Sequence, residues 1–267
     1  MIGILGLGKM GSSLLEGLIS GGVFPPEEII AYDIDPDKLE RAKTLGINTA
    51  AEESEVVKKS DQIVLAIIPQ KIKKVLQKIS GDFRQGQLLI SIAAGIRTEV
   101  VKEVIPEGVF VVRAMPNLAA LAHYAVTVLS AGEEVPKNAR QKAERIWSSV
   151  GKVFWLDEEL MDAVTALSGS GPAYTFLFIE ALTDAGVRVG IPRDVAYQLA
   201  LHTVIGSAVL LERTGKHPIV FKDMVTSPGG TAIAGVEALE RNGFRVALFE
   251  AVRAATERAL QISERLG

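Results

Sequence analysis

The first eleven residues constrain the fold of this chain more than any other segment. They read MIGILGLGKMG and join a short apolar run, Ile2–Leu5, to the glycine pattern Gly6-x-Gly8-x-x-Gly11. The next residues, SSLLEGLI, have the apolar spacing of a helix. A buried strand, a glycine loop and a helix in this order are typical of the first turn of a dinucleotide-binding unit.

Each glycine of this loop has a physical role. Gly6 permits the tight turn, Gly8 lets a pyrophosphate approach the backbone, and Gly11 lets the helix pack closely on the strand. The helix N-terminus adds unpaired N–H groups for the phosphates. Asp33 lies 22 positions after Gly11, where a carboxylate can accept hydrogen bonds from the adenosine ribose. An alternative role for Asp33 is to cap the helix that follows it.

The first 155 residues alternate between strand-like and helix-like segments. Strands are expected at residues 2–5, 29–33, 48–50, 62–68, 88–93, 109–114, 125–129 and 152–155. After Gln62, the run 63–68 is continuously apolar, as expected for a parallel strand that is buried on both faces. Asp35-Pro36-Asp37 indicates a helix start, and Gly46 a helix end. This rhythm predicts an α/β fold with a doubly wound, mostly parallel sheet.

The pattern changes near Leu156, and residues 158–266 show only helical periodicity. Two segments, 172–187 and 193–213, are apolar on nearly every side and must be buried on every side. A domain of this size has little room for two such helices, so we expect part of their surface to meet another subunit. We predict a dinucleotide-binding domain at 1–155 and an all-helical dimerisation and substrate domain at 156–267.

Composition excludes several classes of function. The chain has 29 basic and 32 acidic residues and no long basic run, which argues against a nucleic-acid partner. It has no cysteine, which excludes disulfides and thiolate chemistry, and its three histidines have no metal-ligand spacing. The first apolar run is too short for a signal peptide or a membrane span. We expect a cytoplasmic protein with no metal and no membrane partner.

Three further motifs carry a family resemblance. They are RAMPN at 113–117, LSGSGPAY at 167–174 and DMVTSPGG at 223–230. Together with the glycine loop they resemble the pyrroline-5-carboxylate reductases, and the similarity covers nearly the whole chain. The resemblance implies a Rossmann-type domain followed by a helical domain that interlocks with its twin, in dimers or decamers. It also implies hydride transfer from a reduced nicotinamide to the imine carbon of 1-pyrroline-5-carboxylate, which gives L-proline in the last step of proline synthesis.

The resemblance also assigns site residues. It implies that the substrate carboxylate binds Ser227, Gly229, Gly230 and Thr231, since a Ser-Pro-Gly-Gly-Thr turn can offer consecutive N–H groups to an anion. Thr231 and Ser227 are the candidate catalytic residues, as proton donors to the imine nitrogen, with a bound water as the alternative. The candidate cofactor-binding residues are Gly6, Leu7, Gly8, Lys9, Met10, Gly11, Asp33, Ala66, Ile67, Ile68, Pro69 and Asn117.

The cofactor is NADH or NADPH, and Asp33 favours NADH. A carboxylate at this position suits a ribose hydroxyl and repels the 2′-phosphate of NADPH. Asp35 adds to the negative field. The sequence departs from the family's common pattern at three places. It has Ile68 where the family commonly has a lysine, Leu118-Ala119 where it has Thr-Pro, and Ala232 where it has a second hydroxyl residue. These departures leave the proton donor and the ring size of the substrate open.

Three other functions are compatible with the same architecture. One is a hydroxyacid dehydrogenase of the 6-phosphogluconate or 3-hydroxyisobutyrate kind, but such enzymes use a lysine early in the second domain, and none occurs between Lys152 and Lys216. The others are a reductase of a related cyclic imine, such as the six-membered piperideine ring, and a catalytically silent NAD(P)-binding regulator.

Overall fold

The computed structural model describes residues 1–266, which form two compact units. The first unit comprises residues 1–170 together with 254–266, and the second comprises Gly171–Arg253. The domain boundary between residues 155 and 156 remains a prediction from the sequence.

The first unit contains a single eight-stranded sheet within the described residues. Its strands are β1 (Ile2–Leu5), β2 (Ile29–Tyr32), β3 (Asn48–Thr49), β4 (Gln62–Leu65), β5 (Leu88–Ser91), β6 (Phe110–Met115), β7 (Ala125–Ser130) and β8 (Gly151–Trp155). Their spatial order is β3-β2-β1-β4-β5-β6-β7-β8, and every neighbouring pair is parallel except β6 and β7. The first six strands have the order of a dinucleotide-binding sheet, with its switch point between β1 and β4. The predicted doubly wound sheet is confirmed.

Helices connect these strands. They are α1 (Lys9–Ser20), α2 (Pro36–Thr44), α3 (Glu53–Lys59), α4 (Pro69–Ile79), α5 (Thr98–Lys102), α6 (Lys137–Ser148) and α7 (Met161–Val164). Short 3-10 turns lie at Pro26–Glu28, Ser80–Asp82, Leu118–Ala122 and Glu158–Leu160, and a π-helical segment at Thr165–Gly169. Helix α2 begins as predicted, because the Asp35 carboxylate accepts a 3.0 Å hydrogen bond from the N–H of Asp37 and Pro36 occupies the first turn.

Two apolar cores cover the two faces of the sheet. Successive residues of β4 point to opposite faces: Val64 packs in one core, and Ile63 and Leu65 pack in the other. All four residues of β4 are buried, as expected for a strand covered on both sides. This burial holds the carboxyl ends of β1, β2 and β4 in fixed positions at one edge of the sheet.

The second unit is helical throughout. It contains α8 (Gly171–Arg188), α9 (Arg193–Thr214), α10 (Pro218–Val225), α11 (Thr231–Arg241) and the first part of α12 (Phe244–Leu266), whose remainder belongs to the first unit. No strand follows Trp155 within residues 1–266. Large apolar side chains on α8 and α9 remain exposed, among them Phe176, Leu177 and Leu199. By length and composition alone α9 could cross a membrane, which for one such helix is weak evidence.

Candidate active site

The glycine loop between β1 and α1 is shaped by close backbone contacts. Gly6 has φ +99°, and a Cβ there would overlap the carbonyl oxygen of Ala66. A Cβ on Gly11 would overlap the carbonyl oxygen of Gly6. At Gly8, in contrast, no described atom lies within 4 Å of the Cβ position. The space above Gly8 is therefore open for a ligand, whereas the space at Gly6 and Gly11 is filled by the protein.

The first turn of α1 presents free donors beside this opening. Gly8 is the N-cap and has no side chain that could accept from the helix N–H groups. Its carbonyl accepts the first helical bond from the N–H of Ser12, at 2.9 Å. Lys9 is exposed at the same turn. An uncapped helix start next to a side-chain-free backbone fits a pyrophosphate, so the loop has the geometry that dinucleotide binding requires.

Asp33 lies directly after β2 and is nearly buried. Its Oδ2 accepts a 2.6 Å hydrogen bond from the N–H of Leu7, and its Oδ1 accepts one of 2.9 Å from the N–H of Asp35. The ammonium of Lys38 lies 3.4 Å from Oδ1 and 3.8 Å from the carboxylate of Asp35. The alternative that Asp33 caps the next helix is wrong, because Asp35 occupies that N-cap. Sequence reasoning missed Lys38, although its place one turn into α2 could have indicated it.

The turn between β4 and α4 borders the glycine loop. The N–H of Ala66 bonds the carbonyl of Leu5 at 2.7 Å, and a Cβ on Gly6 would lie 3.0 Å from the Ile67 side chain. Ile68 is the N-cap of α4, with its side chain 60% exposed, and Pro69 begins the helix. The structure therefore brings residues 66–69 together with residues 6–11.

Asn117 follows β6 at the same edge of the sheet. Its side-chain Oδ1 accepts from the N–H of Val126 at 3.3 Å, and its carbonyl accepts from the N–H of Ala120 at 3.1 Å. These bonds fix the 3-10 turn Leu118–Ala122, which ends at His123 in the left-handed conformation, with φ 55°. The amide of Asn117 thus holds the loop in place in addition to any role towards a cofactor.

The SPGG segment forms a turn of the second unit between α10 and α11. Gly229 has φ +68°, and the N–H of Gly230 bonds the carbonyl of Ser227 at 3.0 Å. Helix α11 begins at Thr231, and its N-cap Gly230 has no side chain to cap it. Ser227 and Thr231 are exposed. The turn therefore joins two hydroxyl groups to the open N-terminus of an 11-residue helix, an arrangement that favours an anion.

The sequence predicted helical segments on both sides of Gly229-Gly230 but did not assign Thr231 as the first residue of the second one. The apolar spacing of TAIAGVEAL, directly after Gly230, could have revealed it. Within residues 1–266 no group of three or more histidines and acidic residues is placed to hold a metal ion.

Two family models match the chain. One, described as pyrroline-5-carboxylate reductase dimerisation, matches residues 158–262, and the other, described as NADP oxidoreductase coenzyme F420-dependent, matches residues 1–95. The pyrroline-5-carboxylate reductase of Arabidopsis thaliana is 41% identical over 264 residues, which cover 98% of this chain and 95% of the relative. This chain belongs to the pyrroline-5-carboxylate reductase family. The resemblance found in the sequence is confirmed.

Solved structures agree with this assignment. A pyrroline-5-carboxylate reductase from Coxiella burnetii superposes with a TM-score of 0.94 at 34% identity, covering 98% of both chains. The Plasmodium falciparum pyrroline carboxylate reductase, solved with NADP bound, has a TM-score of 0.88 at 31% identity and covers 98% of this chain and 97% of that chain. The predicted fold class, a Rossmann-type sheet followed by a helical dimerisation domain, is confirmed by this family membership.

Proposed function

We propose that this protein reduces 1-pyrroline-5-carboxylate to L-proline with a reduced nicotinamide cofactor. The observation that carries the proposal is the SPGG turn at the uncapped start of α11, in a chain of this family. A five-membered ring with one carboxylate needs an anion cradle. The N–H groups of Gly229 and Thr231 and the hydroxyl of Ser227 would form it, while the N–H of Gly230 holds the turn through the carbonyl of Ser227.

The residues of the first unit would hold the cofactor. The N–H groups at Gly8 and the first turn of α1 would bind the pyrophosphate, and Asp33 would face the adenosine ribose. Residues 66–69 and Asn117 would border the nicotinamide and its ribose. When bound, the cofactor supplies the hydride, and the protein supplies placement and electrostatics.

Proton delivery to the imine nitrogen falls to the hydroxyl of Thr231 or Ser227, or to a water that they hold. Ala232 carries no hydroxyl, and Thr231 and Ser227 are the hydroxyl residues of the turn itself. Both side chains are exposed in the single chain, so both hydroxyls are open to a bound substrate or water. Loss of kcat with retained substrate affinity in Thr231→Val or in Ser227→Ala would identify the donor.

The charges at the end of β2 favour NADH over NADPH. Within residues 1–266, the ammonium of Lys38 lies within 4 Å of two carboxylates, Asp33 and Asp35, at the end of β2. The carboxylates of this group outnumber its ammonium, so the group itself would repel a 2′-phosphate. Lys38 weakens that repulsion without removing it, and we therefore expect measurable activity with both cofactors.

The helical domain would join two copies of the chain. Phe176, Leu177 and Leu199 are 59%, 64% and 54% exposed on α8 and α9, which is unusual for large apolar side chains on neighbouring helices. The dimerisation model covers this region. A homodimer or a larger symmetric assembly would bury that surface. Cytoplasmic location remains a prediction.

The test is oxidation of NADH and of NADPH by purified protein with racemic 1-pyrroline-5-carboxylate, with the product identified. Formation of L-proline at a higher kcat/KM with NADH would support both parts of the proposal. Faster turnover of the six-membered imine would favour the related-imine reductase. NADH binding without turnover of either ring would favour the regulator, and the family membership makes both alternatives the less favoured.

A further inference from the structure

A buried ion-pair network lies below the loop that carries Asn117. Arg113 of β6 is 1% exposed, and its guanidinium lies 3.3 Å from Oδ1 of Asp162 and 3.5 Å from Oε1 of Glu158. A buried charge is costly unless it is paired and hydrogen-bonded, and breaking such a pair is strongly destabilising. Arg113 therefore fixes the position of both carboxylates.

Two hydroxyl groups also bond these carboxylates. Ser263 of α12 donates its hydroxyl to Oδ1 of Asp162 at 2.9 Å, across 101 residues of sequence. Thr98, at the start of α5, donates its N–H and its hydroxyl to Glu158, at 2.8 Å and 2.5 Å. The network thus joins β6, α5, the 158–164 segment and the C-terminal helix.

The network supports two segments that meet. Two residues after Arg113 comes Met115, and three residues after Asp162 begins the π-helical segment Thr165–Gly169. A Cβ on Gly169 would lie 3.7 Å from the sulfur of Met115. Met115 also packs with Met161 and Val164 in one small apolar cluster. Single-turn π segments inside helices are frequent at functional sites, and this one overlaps the LSGSGPAY motif at residues 167–169.

We propose that Arg113, Asp162 and Ser263 are positioning residues for hydride transfer. They set the placement of the Met115–Asn117 loop against the π segment, and Ser263 makes this placement depend on the C-terminal helix. The inference rests on the proposed function, because Asn117 is a nicotinamide contact only if the chain binds that cofactor. The inference goes beyond the proposed function because it assigns a role to the end of α12, which lies outside the glycine loop and the SPGG turn.

Ser263→Ala is the sharpest test, since it removes one hydrogen bond and leaves every charge of the network paired. We expect kcat to fall about tenfold through misplacement of the reacting groups, with the KM for NADH changed less than about twofold. Ser263→Thr keeps the hydroxyl and should retain kcat. Thr183→Ala is the matched control, because Thr183 is equally buried and bonds only the carbonyl of Ile179 in its own helix.

Amide hydrogen exchange of the cofactor-free protein gives a readout that does not need activity. In Ser263→Ala we expect faster exchange at residues 113–118 and 165–170, with the glycine loop unchanged. Unchanged exchange there, or an unchanged kcat in a protein whose melting temperature falls, would reduce the network to a structural element. If the wild type does not reduce the imine, the proposed function fails, while the exchange result still decides whether the network orders the two segments.

Asp162→Asn is the second variant. It keeps the acceptor for Ser263 but removes one of the two charges that face Arg113, so both stability and kcat should fall. A wild-type kcat in the folded fraction of Asp162→Asn would contradict the positioning role. It would do so as clearly as an unchanged kcat in Ser263→Ala.

Discussion

The carboxylate of Asp33 accepts a 2.6 Å hydrogen bond from the backbone N–H of Leu7, in the middle of the glycine loop. The residue proposed to face the ribose therefore also supports the glycine loop. Its second oxygen bonds the N–H of Asp35, and Lys38 lies against both carboxylates. If the proposed function holds, this side chain combines cofactor selection with loop geometry, and we expect substitutions there to affect both.

Asp33→Ser should raise the ratio of kcat/KM for NADPH to that for NADH, by about tenfold, because one carboxylate no longer opposes the 2′-phosphate. It should also lower kcat/KM for NADH, since the N–H of Leu7 loses its acceptor. Lys38→Gln should shift the ratio the opposite way, because it removes the ammonium that lies beside Asp33 and Asp35. Steady-state kinetics with both cofactors measure these changes.

Asp35→Ser is the control for charge alone. Serine caps α2 as well as aspartate does, so the start of the helix is preserved. The charge that is lost, the carboxylate of Asp35, is expected to lie further from the ribose than that of Asp33. We expect a smaller rise in the ratio of kcat/KM for NADPH to that for NADH. We expect no loss of kcat/KM for NADH. A ratio that stays constant in Asp33→Ser and in Lys38→Gln would remove this cluster from cofactor selection.

Gly8→Ala should raise the KM for the cofactor about tenfold without lowering the melting temperature. The added methyl group meets no described protein atom but occupies the space proposed for the pyrophosphate. Gly11→Ala should instead lower the free energy of unfolding by about 1–3 kcal/mol, because its Cβ would overlap the carbonyl of Gly6. Gly81→Ala, also in open space on the described surface, is the neutral control. Equal KM values for Gly8→Ala and wild type would mean that the phosphates bind elsewhere.

Gly230→Val should raise the KM for 1-pyrroline-5-carboxylate at least about tenfold and leave the KM for the cofactor unchanged. A Cβ at this position would overlap the Ser227 hydroxyl and displace it from the turn. Gly235→Ala, one turn further along α11, is the matched control, since nothing described lies within 4 Å of its Cβ position. A normal KM in the valine variant would take the SPGG turn out of the substrate site.

His123→Gly should increase the free energy of unfolding by about 1 kcal/mol. His123 has φ 55°, where a residue with a Cβ is strained and glycine is not. His123→Ala also removes the imidazole but keeps the strain, so it should give no such gain. Urea unfolding at constant m-value measures both. Equal effects of the two substitutions would show that the imidazole, and not the backbone, determines stability here.

Leu199→Asp should convert the assembly to monomers, because Leu199 lies 54% exposed on the apolar helix α9 and a buried carboxylate would oppose association. Leu199→Met keeps the apolar surface and should keep the oligomer. Light scattering after size-exclusion chromatography measures the mass of each. An aspartate variant of wild-type mass would place the subunit contact on another surface.

The sequence by itself determined the strand, glycine loop and helix at residues 2–20, the alternating α/β half, the helical half and the family. These features follow from local chemistry: apolar periodicity marks each element, and glycine is required wherever backbone atoms approach closely, as at Gly6 and Gly11. Even the start of α2 at Asp35 could be predicted, because capping involves residues only a few positions apart.

The tertiary structure decided what depends on partners distant in sequence. The antiparallel pairing of β6 with β7, the bond from Leu7 to Asp33, and the network of Arg113, Asp162 and Ser263 join residues that no local pattern relates. A buried carboxylate or guanidinium is stable only with such partners, and the fold alone determines which side chains arrive beside it.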